Sequence, residues 1–228
     1  MRRTGEVAGI AGFLGTTAAG LSGCPPTENP YIIPAWPWAY SALDVERVRK
    51  LGHQSFYAGG CCFGAFDGIV RALVEAVGDP FDKVVTGMMR YGAGGAAGFG
   101  SLCGALNGSA AAIGLVSDKD TQNKLVAELL SWYAATPLPT DIANEYARDH
   151  AYLVETLKTD EWLESSVAGG ELCHLSVTNW CLTSGFKESD IQRSERCARL
   201  TGDVAARAVE LLNANLAGTF VSENPLPS

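Results

Sequence analysis

The sequence predicts an all-α fold, a single-domain bundle of about seven to eight helices with a Gly/Ala-rich central helix. Apolar residues recur at spacings of three and four from Leu43 onward, and strand-like alternation is nearly absent. Glycine and proline cut this pattern into pieces of helical length. With 228 residues, 47% of them apolar, the chain can fill one core.

The N-terminus stands apart from this pattern. Met1-Arg2-Arg3, a Gly/Ala-rich apolar stretch and Leu21-Ser22-Gly23-Cys24 have the layout of an export signal over residues 1–23, twin-arginine or lipoprotein in type. Cys24 is then the acylated first residue of the mature chain, which gives a membrane tether and a periplasmic or other extracytoplasmic location. Residues 24–42 hold Pro25, Pro26, Pro30, Pro34 and Pro37 beside Trp36 and Trp38. Each proline removes a backbone donor, so this segment is expected to be an extended tether that lays aromatic rings on a body at 43–228.

In the body, Asp44 caps a helix to about Tyr57. Gly59-Gly60 ends it, because glycine tolerates a left-handed backbone. Phe63, Phe66, Ile69, Leu73 and Val77 form the apolar stripe of a second helix. Gly78-Asp79-Pro80 stops that one, and a shorter helix runs to about Tyr91. Residues 92–100 form a glycine loop. From Ser101, Gly104, Ala105, Gly108 and Ala112 give a helix with a face small enough for another backbone to approach, hence the central, buried one. Asp120 to Tyr133 is amphipathic and stops before Pro137-Leu138-Pro139. Thr140 caps a helix to about Val154, and a helix follows from about Leu172 to Thr183. The last, about Ser189 to Leu216, turns Cys197, Leu200, Val204, Ala208 and Leu211 inward.

Composition narrows the function. The apolar content at only 18% charged residues excludes intrinsic disorder. A formal charge of −8, with no basic run, excludes a nucleic-acid partner, whose phosphates need clustered Lys and Arg. Beyond the N-terminus no run reaches the ~18 apolar residues of a spanning helix. The acidic residues show no paired-carboxylate motif and read as solvated helix faces, with Asp203, near Cys197, the one to check.

Seven cysteines and three histidines are the chemical assets. With Cys24 set aside, Cys61, Cys62, Cys103, Cys173, Cys181 and Cys197 allow three readings. Export favours disulfides, buried thiols also pack as small hydrophobes, and thiolates hold metals or clusters. No Cys-x-x-Cys pair marks a zinc knuckle. Cys61-Cys62 and Cys103 stand at helix starts, where amides and the helix dipole stabilise negative sulfur. The glycine loop can wrap its N–H groups around an anion. It lacks both Gly-Lys-Ser/Thr and a preceding strand, so neither a phosphate loop nor a dinucleotide fold is expected. His53, His150 and His174 could be ligands, proton carriers or surface residues, and His174 shares a helix face with Cys181. No nucleophile motif supports a Cys–His hydrolase.

Cys103-Gly104-Ala105-Leu106-Asn107-Gly108 resembles the CGAxxG signature of the C_GCAxxG_C_C family of redox-active proteins. The resemblance covers about residues 45–215 and implies four functional cysteines. They are Cys62, in Cys62-Phe63-Gly64-Ala65, then Cys103, Cys173, and Cys197 in Arg196-Cys197-Ala198. The doubled Cys61-Cys62 leaves the first ambiguous. The export signal, the Trp-rich tether, Cys173-His174 and Trp180-Cys181 are similar to an exported branch that is like the non-haem part of split-Soret cytochromes. The resemblance implies an iron–sulfur cluster with Cys62, Cys103, Cys173 and Cys197 as metal ligands. Cys61, Cys181 and His174 are further cofactor-binding candidates. It also implies electron transfer, and the acidic charge would favour a basic redox partner protein. With no Cys-x-x-Cys-His, a covalent c-type haem is not expected. Two alternatives stand beside this reading. One is a thiol–disulfide oxidoreductase using Cys61/Cys62 or Cys173/Cys181, and the other a structural or binding lipoprotein with inert buried cysteines. No substrate chemistry is evident in the sequence, and Gly/Ala-rich helices that also pack between subunits leave a homodimer open.

Overall fold

Helix α1 (Val45–Ala76) begins under Asp44, whose carboxylate accepts the amides of Glu46 and Arg47. This is a computed structural model, and it describes residues 34–224; the export and acylation expectations at residues 1–24 lie outside the described residues. At Gly60 the backbone turns to φ 80° and ψ −176°, a region that favours glycine, and α1 becomes two antiparallel arms. Arg47 pairs with Glu75, and Ser55 Oγ donates to Asp67, across the two arms. The arms touch backbone to backbone: a Cβ added at Gly68 would meet Gly52 N at 2.6 Å, and one at Gly64 would meet Phe56 N at 2.8 Å. The expected break at Gly59-Gly60 is therefore a hairpin, and the second arm begins with Cys61-Cys62. By length and composition α1 could cross a bilayer, but most of its apolar window is buried inside the protein.

Two 3-10 turns, Phe81–Lys83 and Thr86–Gly92, stand where a short helix was expected, with Val84 extended between them. A β-branched residue there gives up little by leaving the helical region. α2 (Gly104–Val116) turns Gly104, Ala105, Gly108 and Ala112 inward, as the small-residue face requires. α3 (Lys119–Ala135) starts under Asp118 and α4 (Asp141–Arg148) under Thr140. α4 stops short of Val154, because His150 takes a left-handed φ of 51° and the Ala151 amide returns to Tyr146 O. α5 (Cys173–Ser184) is closed by left-handed Gly185, and α6 (Ile191–Leu216) runs along α1. α1, α2 and α6 enclose the core, which includes Leu51, Phe66, Ile69, Leu106, Ile113 and Val204. Two short pairings escape sequence periodicity: β1 (Pro137–Leu138) runs antiparallel to β2 (Ser166–Val167), and Leu102 bridges Leu172.

Residues 34–44 have no regular structure and are pinned to the bundle by aromatics. Trp36 Nε1 donates to Gly114 O at 2.6 Å, and the Trp38 amide to Leu115 O at 3.0 Å. The Trp38 ring meets Phe81 edge-on, with centroids 5.4 Å apart. Tyr40 Oη donates to Asn213 Oδ1 at 2.8 Å.

Candidate metal centre

Four elements bring cysteines to one place. Cys61 opens the second arm of α1, Cys103 occupies the cap position of α2, Cys173 begins α5, and Cys197 lies in α6. The Leu102–Leu172 bridge couples two of them directly: Cys103 N–H donates to Glu171 O and Cys173 N–H to Ser101 O, both at 2.8 Å. Cys61, Cys173 and Cys197 line a cavity of about 200 Å³ together with Gly94, His174 and Arg193. Cys103 is enclosed beside it, and its charge opposes the ionisation of Cys61, Cys62 and Cys173.

Glycines set how closely these pieces meet. A Cβ on Gly104 would run into Cys61 Sγ, and would also stand 2.7 Å from Gly92 O and 2.9 Å from Cys62 N. One on Gly95 would meet Cys173 Cβ at 2.8 Å. The 92–100 loop runs through left-handed residues from Gly94 to Gly98, and its Gly94 amide faces Cys61. The loop thus wraps the site, with one amide turned to sulfur.

Cys61 and Cys62 differ here. Cys62 is fully buried against Gly92 and does not line the cavity, and among the thiols only Cys103 opposes its ionisation. Cys61 faces the cavity, and Cys103, Cys197 and Cys173 all oppose its ionisation. Adjacent residues on a helix point about 100° apart, so only one of the pair can look into the cavity. Of the pair that the sequence leaves ambiguous, Cys61 is the one that lines the cavity and Cys62 lies behind it. His174 lines the cavity from an exposed position against Gly100. Cys181 is outside the lining. It sits eight positions beyond Cys173 on α5, about 12 Å along the axis, too far for these two to form a disulfide.

Burial raises all the shifted thiols and mutual repulsion adds to it, bringing Cys62 to about 11 and Cys173 to about 12. Cys61 and Cys103 are raised as well. Opposing groups are already in place. Arg196 and Arg193 favour the charged form of Cys173, and Tyr133 with the Ala105 and Leu106 amides favours that of Cys103. Tyr133 Oη is buried and faces Cys103 and Ser176 without closing a hydrogen bond to either.

A second buried polar cluster, which the sequence reading missed, lies in the same helices. Glu195, read as a solvated carboxylate, has no exposure at all. It meets His53 Nε2 at 2.9 Å, accepts the Tyr57 hydroxyl and pairs with Arg199. Burial pushes its pKa up, but these partners outweigh that and hold it below the carboxylate range. His53 therefore donates from Nε2, and it stacks on Tyr152 at 3.6 Å. Asp203 is buried too, paired with Arg49 and accepting Thr140 N–H at 2.8 Å. His150 is exposed near Asp160. None of His53, His150 and Asp203 lines the cysteine cavity. The pairings join residues far apart in sequence, and no local pattern announces them.

The donor set fits a thiolate-held metal group: soft sulfur from four elements, small-residue walls, and polar atoms of Tyr133 and Arg196 left without partners. Among the described residues no three His, Cys, Asp or Glu side chains stand at coordinating spacing as they are. Cys61, Cys173 and Cys197 border the cavity without closing on one point, and binding a metal there would need the sulfurs deprotonated.

Comparison with known proteins agrees with this architecture. Split-Soret cytochrome c of Desulfovibrio desulfuricans is 34% identical over 184 residues, 80% of this chain; the chain spans 63% of that relative's length. A solved structure of split-Soret cytochrome c from Desulfovibrio desulfuricans, described as having a novel iron centre, superposes with a TM-score of 0.72 at 31% identity. The superposition covers 84% of this chain and 78% of that one. The family described as "Putative redox-active protein (C_GCAxxG_C_C)" matches residues 63–211, a span that starts just past Cys61-Cys62 and includes Cys103, Cys173 and Cys197. By that match, which covers well over half of its length, the chain belongs to the C_GCAxxG_C_C family of redox-active proteins.

Proposed function

We propose that this protein is an exported electron-transfer protein whose iron–sulfur cluster is held by Cys61, Cys103, Cys173 and Cys197. The observation that carries the reading is the convergence of these four cysteines, from four separate elements, beside a cavity bordered by Arg193. The iron centre of the split-Soret relative supports iron, and the all-sulfur donor set favours a cluster over an ion held by nitrogen and oxygen. When bound, such a cluster takes up and returns single electrons. The chain's own residues provide the setting. The Gly94 amide and the α2 helix start offer donors to sulfur, and the enclosed position of Cys103 keeps water from that ligand. The sequence has no Cys-x-x-Cys-His, so a covalent haem is not part of the reading. A charge of −8 would steer a basic redox partner, and the leader-like residues 1–24 support action outside the cytoplasm.

Purification without oxygen, followed by an absorption spectrum and assay of iron and acid-labile sulfide, tests the reading. A coloured protein with both elements in stoichiometric amount is expected. A colourless, iron-free protein whose free-thiol count changes by two on reduction would favour the disulfide alternative instead.

A further inference from the structure

Arg196 carries a charge that nothing among the described residues neutralises. It precedes Cys197 on α6 and is 1% exposed. Its Nη2 donates to Ser176 Oγ at 2.9 Å, and its Nε has no partner. It joins none of the ion pairs formed among the described residues. Two neighbouring buried arginines behave otherwise: Arg199 pairs with Glu195, and Arg49 with Asp203. Ser176 stands one turn beyond Cys173 on α5, and the unpartnered Tyr133 Oη faces both Ser176 and Cys103. A cation taken out of water without an anion costs stability, and breaking a buried pair costs more than making one gains. No carboxylate pairs with Arg196 among the described residues to offset that cost, whereas a thiolate-held anionic cluster beside it would.

We propose that Arg196, braced by Ser176 and flanked by Tyr133, is a positioning residue that serves as the built-in counter-cation of the thiolate set. It weakens the metal-free fold and strengthens the loaded one. The inference rests on the iron–sulfur reading above and deepens it.

The test compares wild type, Arg196→Met, Arg196→Lys and Tyr133→Phe, each metal-free and each reconstituted anaerobically with ferrous iron and sulfide. Arg196→Met keeps the apolar stem and removes the charge. Its metal-free form is expected to melt at a higher temperature than wild type. Its loaded form is expected to release iron to a chelator at least tenfold faster and to have a reduction potential shifted to more negative values. Arg196→Lys restores retention and potential toward wild type, and Tyr133→Phe moves both quantities in the same sense as Arg196→Met but less. Equal iron retention and potential in wild type and Arg196→Met, with the metal-free variant less stable, overturns the inference and leaves the iron–sulfur reading standing. A wild-type protein that takes up no iron overturns that reading itself. Should Arg196→Met fail to fold, Tyr133→Phe decides by the same two readouts.

Discussion

Cys103 and Cys173, distant in sequence, are held abreast by one β-bridge, in which each donates its amide to the segment that leads into the other. The bond is made by backbone, so it survives replacement of either side chain. Two of the four sulfurs thus owe their proximity to main-chain hydrogen bonds and not to the group they would bind.

Serine replacements should therefore separate binding from folding. Cys61→Ser, Cys103→Ser, Cys173→Ser and Cys197→Ser are each expected to keep the helical circular dichroism and lose most of the iron. Cys62→Ser places a hydroxyl in a fully buried site and is expected to cost about 1–3 kcal/mol. Iron content should nevertheless stay near wild type. Full iron in Cys61→Ser with loss in Cys62→Ser would reverse the assignment of the pair.

The glycines of α2 set two opposing effects against each other. Alanine in a helix is favoured over glycine by about 1 kcal/mol. At Gly108, however, a Cβ would press on the Cys62 carbonyl and stand 3.0 Å from Phe66 N, both of them backbone. Overpacking of that kind costs about 1–3 kcal/mol, so Gly108→Ala is expected to destabilise in chemical denaturation. Gly104→Ala strikes the Cys61 sulfur itself and should lower iron content as well.

Asp203 lies deep in the bundle, paired with Arg49, and it also accepts the Thr140 amide and hydroxyl that start α4. Asp203→Asn leaves Arg49 buried with only the partly exposed Glu46 to answer it. Removing one member of a buried pair costs about 3–5 kcal/mol. Urea denaturation should show a loss in that range, while anaerobic iron content is unchanged because Asp203 does not line the cysteine cavity.

His53 makes stability depend on pH. Burial holds its imidazole below the ordinary 6.5, against the raising influence of Glu195. Below 6.5 the unfolded chain takes a proton that the folded one refuses, so stability falls as the pH drops from there toward the folded value. Glu195, Tyr57, Tyr152, Arg199 and Asp203 are the titratable groups around it, and Glu195, held below the carboxylate range, stays charged throughout this window. Melting temperatures of the metal-free protein should decline between pH 7 and pH 5, and His53→Gln should flatten that slope. An unchanged slope in His53→Gln would remove His53 as its source.

Much of the fold was legible because local chemistry writes it. Asp44 and Thr140 cap their helices with side-chain oxygens, and Gly60 turns the chain where a second glycine precedes it. The small face of α2 announced a buried helix. What stayed hidden depends on contacts between distant residues. Periodicity cannot see a one-residue bridge such as Leu102–Leu172, nor the two-residue pair β1 and β2. It cannot choose between Cys61 and Cys62, which differ only in the direction they point from the hairpin tip. Nor can it foresee that Glu195 and Arg196, neighbours on a polar-looking stretch of α6, are both buried.

Trp36 holds the carbonyl of Gly114, near the C-terminal end of α2, whereas Cys103 caps the N-terminal end, roughly 16 Å away by the helical rise between them. A load carried by residues 34–36 would thus reach α2 at the end opposite Cys103, so strain there is taken up by the indole's hydrogen bond and not by the thiols.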